Sequence, residues 1–451
     1  MIIADFLQDL AKLTEESCTI EESLFKQFDV KRGLRNADHT GVLVGLTRVG
    51  SVVGYEKING VLEAIDGKLI YRGIDINDLV HGCQAAKRPG FDETVFLLLF
   101  GRLPLKDELD KFSDGLAELR ALPENFNRDM ILTMKGKDIM NMLARSILAL
   151  YTLDEKADDT SIENILRQSI SLIAKISTIA VYSYHSMRHL IYYDTLTVRY
   201  PDKKLSTAAN FLYMLKGNDY TALEAELLDL SLVLHAEHSG GNNSTFTTRV
   251  VSSSGTDTYS AIVAAIGSLK GPLHGGANLQ VMEMMENIKA NVKNWANDDE
   301  VAEYLRKITR KEAHDKTGLI YGFGHAVYTV SDPRAILLKE KARLLSIEKG
   351  REDEMALYES IERIGPGIFY EFKGTQDKLI SPNVDFYSGF VYECLKIPKE
   401  LYTPLFAISR ISGWCAHRLE EIISGRRIIR PAYKTVEPPR SYIPLEERQK
   451  I

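Results

Sequence analysis

The sequence contains little cysteine. Its 451 residues include four cysteines (Cys18, Cys83, Cys394 and Cys415), and no two of them form a CxxC pair. Neither a disulfide framework nor a thiolate zinc site is therefore supported. Such sparse cysteine is typical of a reducing compartment, and we expect a cytoplasmic protein.

The sequence also lacks a long uncharged apolar run and a large excess of charge. No stretch reaches the roughly 18 apolar residues that cross a bilayer. The N-terminal residues include acids and no basic region before an apolar run, so we expect no secretory signal. Lys and Arg number 56 against 62 Asp and Glu, a net charge of −6. We therefore expect neither a membrane nor a nucleic acid as partner, although a local basic pocket for a small anion fits this balance.

The spacing of the apolar residues is mostly helical. From Leu401 they recur at mostly three- and four-residue intervals toward Gly425, which predicts an amphipathic helix that ends there. Ser331-Asp332-Pro333 predicts a capped helix start. Similar patterns predict helices over residues 221–237, 256–270, 275–290, 300–312 and 353–363.

One early segment favours β structure. Residues 60–75 place β-forming residues on either side of Asp66-Gly67, a dipeptide that favours a hairpin turn. The sequence therefore predicts an all-α class of fold with a minor β hairpin near the N-terminus. Residues 1–40 are charged and mixed, and they predict a helical arm.

Five segments interrupt the helical periodicity, and loops on a rigid frame are common places for chemistry. Each contains Gly or Pro together with a His, Asp or Arg: residues 238–249, 271–278, 318–328, 380–389 and 425–440. His274 precedes a predicted helix, whose dipole favours a neutral imidazole, but an exposed histidine in a glycine turn is the alternative. His325 follows Gly322-Phe323-Gly324, which is not a dinucleotide-binding pattern, and a turn histidine without function is its alternative.

Asp385 and Arg410 each have a functional and a structural interpretation. Asp385 stands between two apolar residues, where loss of water would suit a general base, but it also suits a helix N-cap. Arg410 shares a helix face with Phe406 and Trp414, so it needs an anionic partner. That partner is either a ligand carboxylate or a buried structural salt bridge.

Two histidine pairs have a spacing that metal sites use. These are His235 with His238 and His185 with His189. Neither pair has a further ligand or the glutamate of an HExxH motif, so we expect no metal.

Together these segments resemble the citrate synthase family. The resemblance spans about residue 40 to residue 435 and is carried, in order, by GVLEAIDGKLIYRGIDI, LHAEHSGGNNSTFTTR, GPLHGGAN, GFGHAVYTVSDPR, NVDFYSG, the SR of FAISRISG, and RRIIRP. It implies an almost entirely helical fold. A large domain (residues 1–275 plus 391–451) would hold an inserted smaller helical domain (residues 276–390) that closes over the substrates.

The resemblance implies that acetyl-CoA condenses with oxaloacetate and that citryl-CoA is then hydrolysed to citrate and CoA. Asp385 would remove a methyl proton from acetyl-CoA, and His274 would hydrogen-bond the thioester oxygen. His325 would polarise and protonate the ketone of oxaloacetate. A weakly acidic thioester C–H requires such a pairing of base and donor. No metal and no permanently bound cofactor are implied, since acetyl-CoA is a co-substrate.

The family's binding residues also have counterparts in this sequence. His238, Arg334 and Arg410 would hold oxaloacetate. Arg430 would act across the interface of a homodimer, in the active site of the neighbouring subunit.

The sequence departs from the family pattern at Thr329, where the family often has Lys or Arg to meet a phosphate of CoA. Lys373 or Lys378 would be a substitute, unless both are solvated surface lysines. Two alternative functions stay open. One is a 2-methylcitrate synthase that uses propionyl-CoA, and the other is a catalytically inactive helical scaffold of the same fold.

Overall fold

A computed structural model describes residues 7–36, 40–373 and 379–448. Within these ranges the chain is mostly helical, which confirms the predicted fold class. The helices are α1 (Leu7–Cys18), α2 (Glu22–Gln27), α3 (Ile76–Ala85), α4 (Phe91–Phe100), α5 (Lys106–Leu119), α6 (Ile139–Tyr151), α7 (Ile162–Tyr192), α8 (Thr207–Lys216), α9 (Ala222–His235), α10 (Asn243–Ser252), α11 (Thr258–Lys270), α12 (Ala277–Asn291), α13 (Asp298–Thr309), α14 (Pro333–Lys349), α15 (Glu352–Lys373), α16 (Val384–Cys394) and α17 (Tyr402–Glu420).

The predicted helix boundaries are largely confirmed. The α14 helix begins at Pro333, and the side chain of Asp332 caps it by accepting from Arg334 N. The α17 helix continues as a π-helical turn to Gly425, after which Arg426 adopts a positive φ of 53°. The five other predicted segments form α9, α11, α12, α13 and α15. The described part of the N-terminal arm contains α1 and α2.

The β hairpin is present, but its predicted turn is wrong. Strands β1 (Gly50–Ile58), β2 (Val61–Tyr71) and β3 (Ile74–Asp75) form an antiparallel sheet in that order. The chain turns at Asn59-Gly60, where φ is 52° and 88°, and Asn-Gly is a favoured dipeptide for such a turn. Asp66-Gly67 instead lies inside β2, where the register with β1 is irregular.

The α17 helix lies at the centre of the core. Most of its side chains are buried, and it packs against α4, α7, α9, α10 and α11. The helices α12 to α16 pack chiefly on one another, while α14 also packs on α9 and β2. The middle of α17 meets the end of α9, where Arg410 Nε donates to His235 O, and the starts of α14 and α16 meet where Val384 N donates to Asp332.

One described helix, α7, is long and apolar enough to cross a membrane by length and composition alone. Most of its apolar stretch is buried within the fold, against α5, α6 and α17. Such burial is typical of a core helix.

Candidate active site

The structure brings three of the predicted histidines into one aromatic cluster. The rings of His238 and His325 lie 5.0 Å apart, and Tyr328 stacks on His325 at 4.7 Å. Phe406 lies between His274 and Arg410. Its ring is 6.1 Å from the ring of His274 and 4.7 Å from the Arg410 guanidinium. Burial lowers the pKa of His238 and the charge of Arg410 lowers it further, so residues far apart in the sequence lie together in one cluster.

His274 is held from one side by α10. Its Nε2 lies 3.0 Å from Ser244 Oγ, and Ser244 N donates to the same nitrogen at 3.4 Å. Trp414 Nε1 donates to Ser244 Oγ at 3.1 Å and so fixes the hydroxyl. Burial, and then the charge of Arg410, lower the pKa of His274 to about 4. The imidazole is thus neutral and half-buried, as the functional interpretation predicts, and the exposed-turn alternative is wrong.

The orientation of His325 follows from its own loop. Its Nδ1 accepts from the backbone N–H groups of Val327 and Tyr328, both at 3.1 Å. An acceptor nitrogen carries no proton, so the proton of the neutral ring is on Nε2. The backbone pairing of this loop depends on Gly322 and Gly324, whose φ angles are 83° and 84°.

The same loop pairs with the segment that leads to Asp385. Gly324 N donates to Ser381 O at 2.9 Å, and Asn383 N donates to Gly322 O at 2.8 Å. Asn383, and not Asp385, caps α16, since its side chain accepts from Asp385 N at 3.0 Å. The N-cap alternative for Asp385 is therefore wrong. The glycines serve to bring the His325 loop and the start of α16 together.

The Asp385 carboxyl has an environment that suits a base. Burial raises its pKa to about 6, and the nearby carboxylate of Asp332 acts in the same direction. The charges of the Arg334 and Arg410 guanidinium groups oppose this rise in the pKa. A carboxylate with a pKa near 6 is both ionised and basic at neutral pH.

Arg410 is fully buried and has two unpartnered donors. Its Nε donates to His235 O at 2.6 Å, while neither terminal NH₂ group has a hydrogen-bond partner among the described residues. Its guanidinium forms no ion pair with a described carboxylate, so the salt-bridge alternative is wrong. The buried Nε2 of His238 is likewise unpartnered. Unpaired buried donors are costly, and they match an anionic ligand.

Arg334 is buried at the start of α14 and is oriented by Asp332. The pair is joined by Nη2 to Oδ2 at 2.7 Å and by Nε to Oδ1 at 3.0 Å. Burial works against the charge of Arg334, but Asp332 raises its pKa above the ordinary value. Asp332 also accepts from Val384 N at 3.2 Å, so the pair connects α14 with the residue before Asp385.

Arg430 is not brought to this pocket. It is exposed, in the extended segment after Arg426, and its neighbour Ile429 donates to Ser253 Oγ at 3.0 Å. The position of Arg430 in a neighbouring subunit stays a prediction. The CoA contacts also stay predictions: Thr329 is buried, Lys373 lies over the Phe369 ring, and Lys378 is outside the described residues.

Sequence reasoning missed Tyr71, whose hydroxyl holds the turn between α9 and His238. The hydroxyl oxygen lies 3.0 Å from Val233 O and 3.2 Å from Glu237 O, and its single proton bonds to this turn. The hydroxyl is about 165 residues away in sequence from the turn it holds, so no local pattern signals the contact. Ser244 lies within a quoted motif, but no local pattern signals its hydrogen bond with Trp414.

One histidine of each pair considered for a metal forms a hydrogen bond with a backbone carbonyl oxygen. His235 Nδ1 bonds to Ser231 O, and His185 Nε2 bonds to Met214 O. Among the residues that the structure describes, no group of three or more His, Cys, Asp or Glu side chains could hold a metal ion.

A separate cavity of about 600 Å³ lies between α3, α9 and α14 and contains none of the predicted site residues. Most of its charged side chains have partners within the fold. Arg88 pairs with Glu93, Lys341 pairs with Glu226, and Asp229 accepts from Gly90 N. By contrast, the fully buried Arg410 has two unpartnered amino groups and His238 an unpartnered Nε2, so the histidine cluster is the better candidate.

The fold is helical, and the cluster combines a carboxyl of raised pKa with buried, unpartnered cationic donors, which suits acid–base chemistry on an anionic substrate. The family profile described as the citrate synthase C-terminal domain matches residues 38–432. The chain belongs to the citrate synthase family, a family of acyltransferases.

Individual relatives are similar to this chain over most of their length. The citrate synthase of Haloferax volcanii is 37% identical, over 93% of this chain and 99% of its own. A 2-methylcitrate synthase of Shewanella oneidensis is 33% identical, over 84% and 92%. The solved citrate synthase of Pyrobaculum aerophilum superposes with a TM-score of 0.72 at 32% identity, covering 90% of this chain and 94% of its own. The Thermoplasma acidophilum enzyme, solved as a ternary complex with carboxymethyl coenzyme A and oxaloacetate, gives a TM-score of 0.74 at 26% identity, covering 93% and 99%.

Proposed function

We propose that the pocket condenses acetyl-CoA with oxaloacetate and that citryl-CoA is then hydrolysed to citrate and CoA. One observation carries this proposal. A carboxyl with a raised pKa, Asp385, shares a pocket with a neutral imidazole, His274, and with the unpartnered guanidinium of Arg410. That combination supplies a base, a donor for a developing oxyanion and a site for a carboxylate.

The first step is the removal of a methyl proton from acetyl-CoA by Asp385. The electron pair of the broken C–H bond moves into the thioester, and the negative charge grows on its oxygen. His274 donates a hydrogen bond to that oxygen. Because Ser244 N donates to Nε2 of His274, the proton of the ring is on Nδ1, which faces away from α10.

The second step forms the carbon–carbon bond. The enolate carbon attacks the keto carbon of oxaloacetate, and the ketone oxygen takes a proton from Nε2 of His325. The backbone contacts at Nδ1 fix that tautomer. His238, Arg334 and Arg410 hold the two carboxylates of oxaloacetate. Water then cleaves the thioester of citryl-CoA and releases CoA, and the proton that Asp385 took replaces the one that His325 gave.

Three further parts of the proposal concern the whole assembly. Residues 276–390 form a smaller domain that closes over the substrates and excludes water while the enolate exists. The chain acts as a homodimer in which Arg430 completes the site of the neighbouring subunit. The protein is cytoplasmic, and CoA thioesters are its substrates and not resident cofactors.

A coupled assay of CoA release tests the reaction. The purified chain is given oxaloacetate with acetyl-CoA, and in parallel with propionyl-CoA. A higher kcat/KM with acetyl-CoA is the expected result, and a higher value with propionyl-CoA would favour 2-methylcitrate synthesis. No release with either thioester would favour the inactive scaffold.

Isotope exchange tests the role of Asp385 separately. Asp385→Asn keeps the shape of the side chain but cannot accept the proton. Washout of deuterium from methyl-labelled acetyl-CoA is expected to slow by on the order of 10²–10⁴. Washout at the wild-type rate would remove Asp385 from the role of base.

A further inference from the structure

Glu237 is a fully buried carboxylate beside the proposed oxaloacetate site. Its Oε1 accepts from His417 Nε2 at 2.8 Å and from Ser239 N at 2.5 Å. Two glycines leave room for it. A Cβ on Gly50 would lie 2.7 Å from Glu237 Cγ, and a Cβ on Gly413 would collide with Oε2. The fold therefore contains a fitted slot for this side chain.

His417 is fixed from its far side. Arg249 Nε donates to Nδ1 of His417 at 3.1 Å, so Nδ1 carries no proton and Nε2–H points at Glu237. Arg249 is in turn held by ion pairs with Glu420 and Glu421. The imidazole is thus a neutral anchor that binds Glu237 through a hydrogen bond and adds no charge.

Glu237 lies close to Arg410 without filling its donors. No Oε atom of Glu237 lies within 4.0 Å of an Arg410 nitrogen, and Oε2 is itself unpartnered. Yet Glu237 is the charge that most strongly opposes the effect of burial, which lowers the pKa of Arg410 to about 10. A carboxylate in direct contact would occupy the guanidinium, whereas one held at a distance balances the charge and leaves both amino groups open.

We propose that Glu237 is a positioning residue for oxaloacetate, which balances the charge of Arg410 while His417 holds its carboxylate off the guanidinium. This inference rests on the proposed function, since it assumes that Arg410 binds a carboxylate of the substrate. Glu237 limits how tightly the pocket holds anions, and His417 prevents Glu237 from competing with them.

The two residues therefore have opposite effects on binding. Glu237→Gln removes a negative charge but keeps the acceptor for His417. The dissociation constant of oxaloacetate is expected to fall by on the order of tenfold, and the inhibition constant of citrate should fall with it. His417→Leu removes the anchor, so Glu237 turns to Arg410 and oxaloacetate binds about tenfold more weakly. Adding Glu237→Gln to His417→Leu should reverse that loss.

Calorimetric titration of oxaloacetate is the measurement, with thermal unfolding of each variant alongside. Glu224→Gln is the matched control, because Glu224 is also a buried, ion-paired glutamate. Glu224 lies about 16 Å along α9 from His235, so the Glu224→Gln substitution should leave oxaloacetate binding unchanged.

Weaker binding in both Glu237→Gln and His417→Leu, without reversal in the double variant, would overturn the proposal in favour of a purely structural role. If Glu237→Gln does not fold, the oxaloacetate affinities of His417→Leu and His417→Gln test the proposal instead. Glutamine keeps both the donor and the acceptor of the imidazole, so it should restore binding, and equal losses in the two would overturn the proposal. Failure of the proposed function is a different result: wild-type protein would not bind oxaloacetate, or Arg410→Leu would bind it unchanged.

Discussion

Nε2 of His274 lies 3.0 Å from Oγ of Ser244, and Trp414 fixes that hydroxyl from the other side. Removing the hydroxyl in Ser244→Ala frees the imidazole to rotate and leaves Trp414 Nε1 without its partner. The loss of a buried hydrogen bond typically costs about 1–3 kcal/mol. We expect kcat to fall about tenfold, with a small change in the KM for oxaloacetate.

Steady-state kinetics with both substrates tests this expectation. Ser177→Ala is the control, since Ser177 is buried and its hydroxyl has no partner among the described residues. Equal kcat values for the two variants would show that Ser244 does not position His274.

The pKa of Asp385 predicts how the rate depends on pH. Burial raises it to about 6, so the carboxyl gains a proton as the pH falls through that value. A protonated base cannot accept the methyl proton. The kcat/KM for acetyl-CoA should therefore fall about tenfold per pH unit below the pKa. A rate that stays constant down to about pH 5 would contradict this assignment.

Arg410→Leu should weaken oxaloacetate far more than acetyl-CoA, because the lost contact is with a substrate carboxylate. Removing one partner of a buried charge pair typically costs about 2–5 kcal/mol. The two KM values and the calorimetric affinity for oxaloacetate are the measurements. Arg418→Leu is the comparison, since Arg418 is a buried arginine of the same helix that bonds to Thr258, Ser252 and Thr256. It should lower thermal stability without this selectivity.

Local patterns predicted the elements that are set by local chemistry. The cap and proline before α14, and the periodic apolar face of α17, depend on neighbouring residues, and both are present. The hairpin turn was assigned wrongly because Asp66-Gly67 and Asn59-Gly60 satisfy the same local preference. Tertiary contact with Ser331 distinguishes them, since Gly67 N donates to Ser331 Oγ at 3.2 Å.

The sequence likewise predicts only part of the candidate site. The family motifs pointed to three of its histidines, Asp385, Arg334 and Arg410, whereas the residues that orient them are distant in sequence, and Arg430 lies outside the site in the single chain. His417 and Glu237 are 180 residues apart, and neither has a local signal for the contact. Such contacts depend on how α17 packs on the loop after α9.

Gly67 gives a test of the link between the sheet and the site. A Cβ there would collide with the carbonyl oxygen of Ser331 and lie 2.6 Å from the Tyr328 ring, so Gly67→Ala must displace the loop that carries His325. Overpacking of this kind costs about 1–3 kcal/mol. Thermal unfolding and the KM for oxaloacetate should both worsen. Gly82→Ala, which faces open space in α3, should leave both near wild type. Unchanged kinetics in Gly67→Ala would show that the contact of the sheet with this loop does not affect the site.

The proposed role of Arg430 makes catalysis depend on assembly. Arg430→Ala and Asp385→Asn are each expected to be inactive as homodimers. In a hybrid dimer one site receives both defects and the other receives neither, so the second site should work. Co-expression with two affinity tags yields purified hybrids, which is needed because a large obligate interface does not exchange readily. Turnover near half of the wild-type value per hybrid is the expected result. Arg430 is exposed in the single chain, so we expect it to meet the substrate in the neighbouring subunit, and purified hybrids without activity would contradict this expectation.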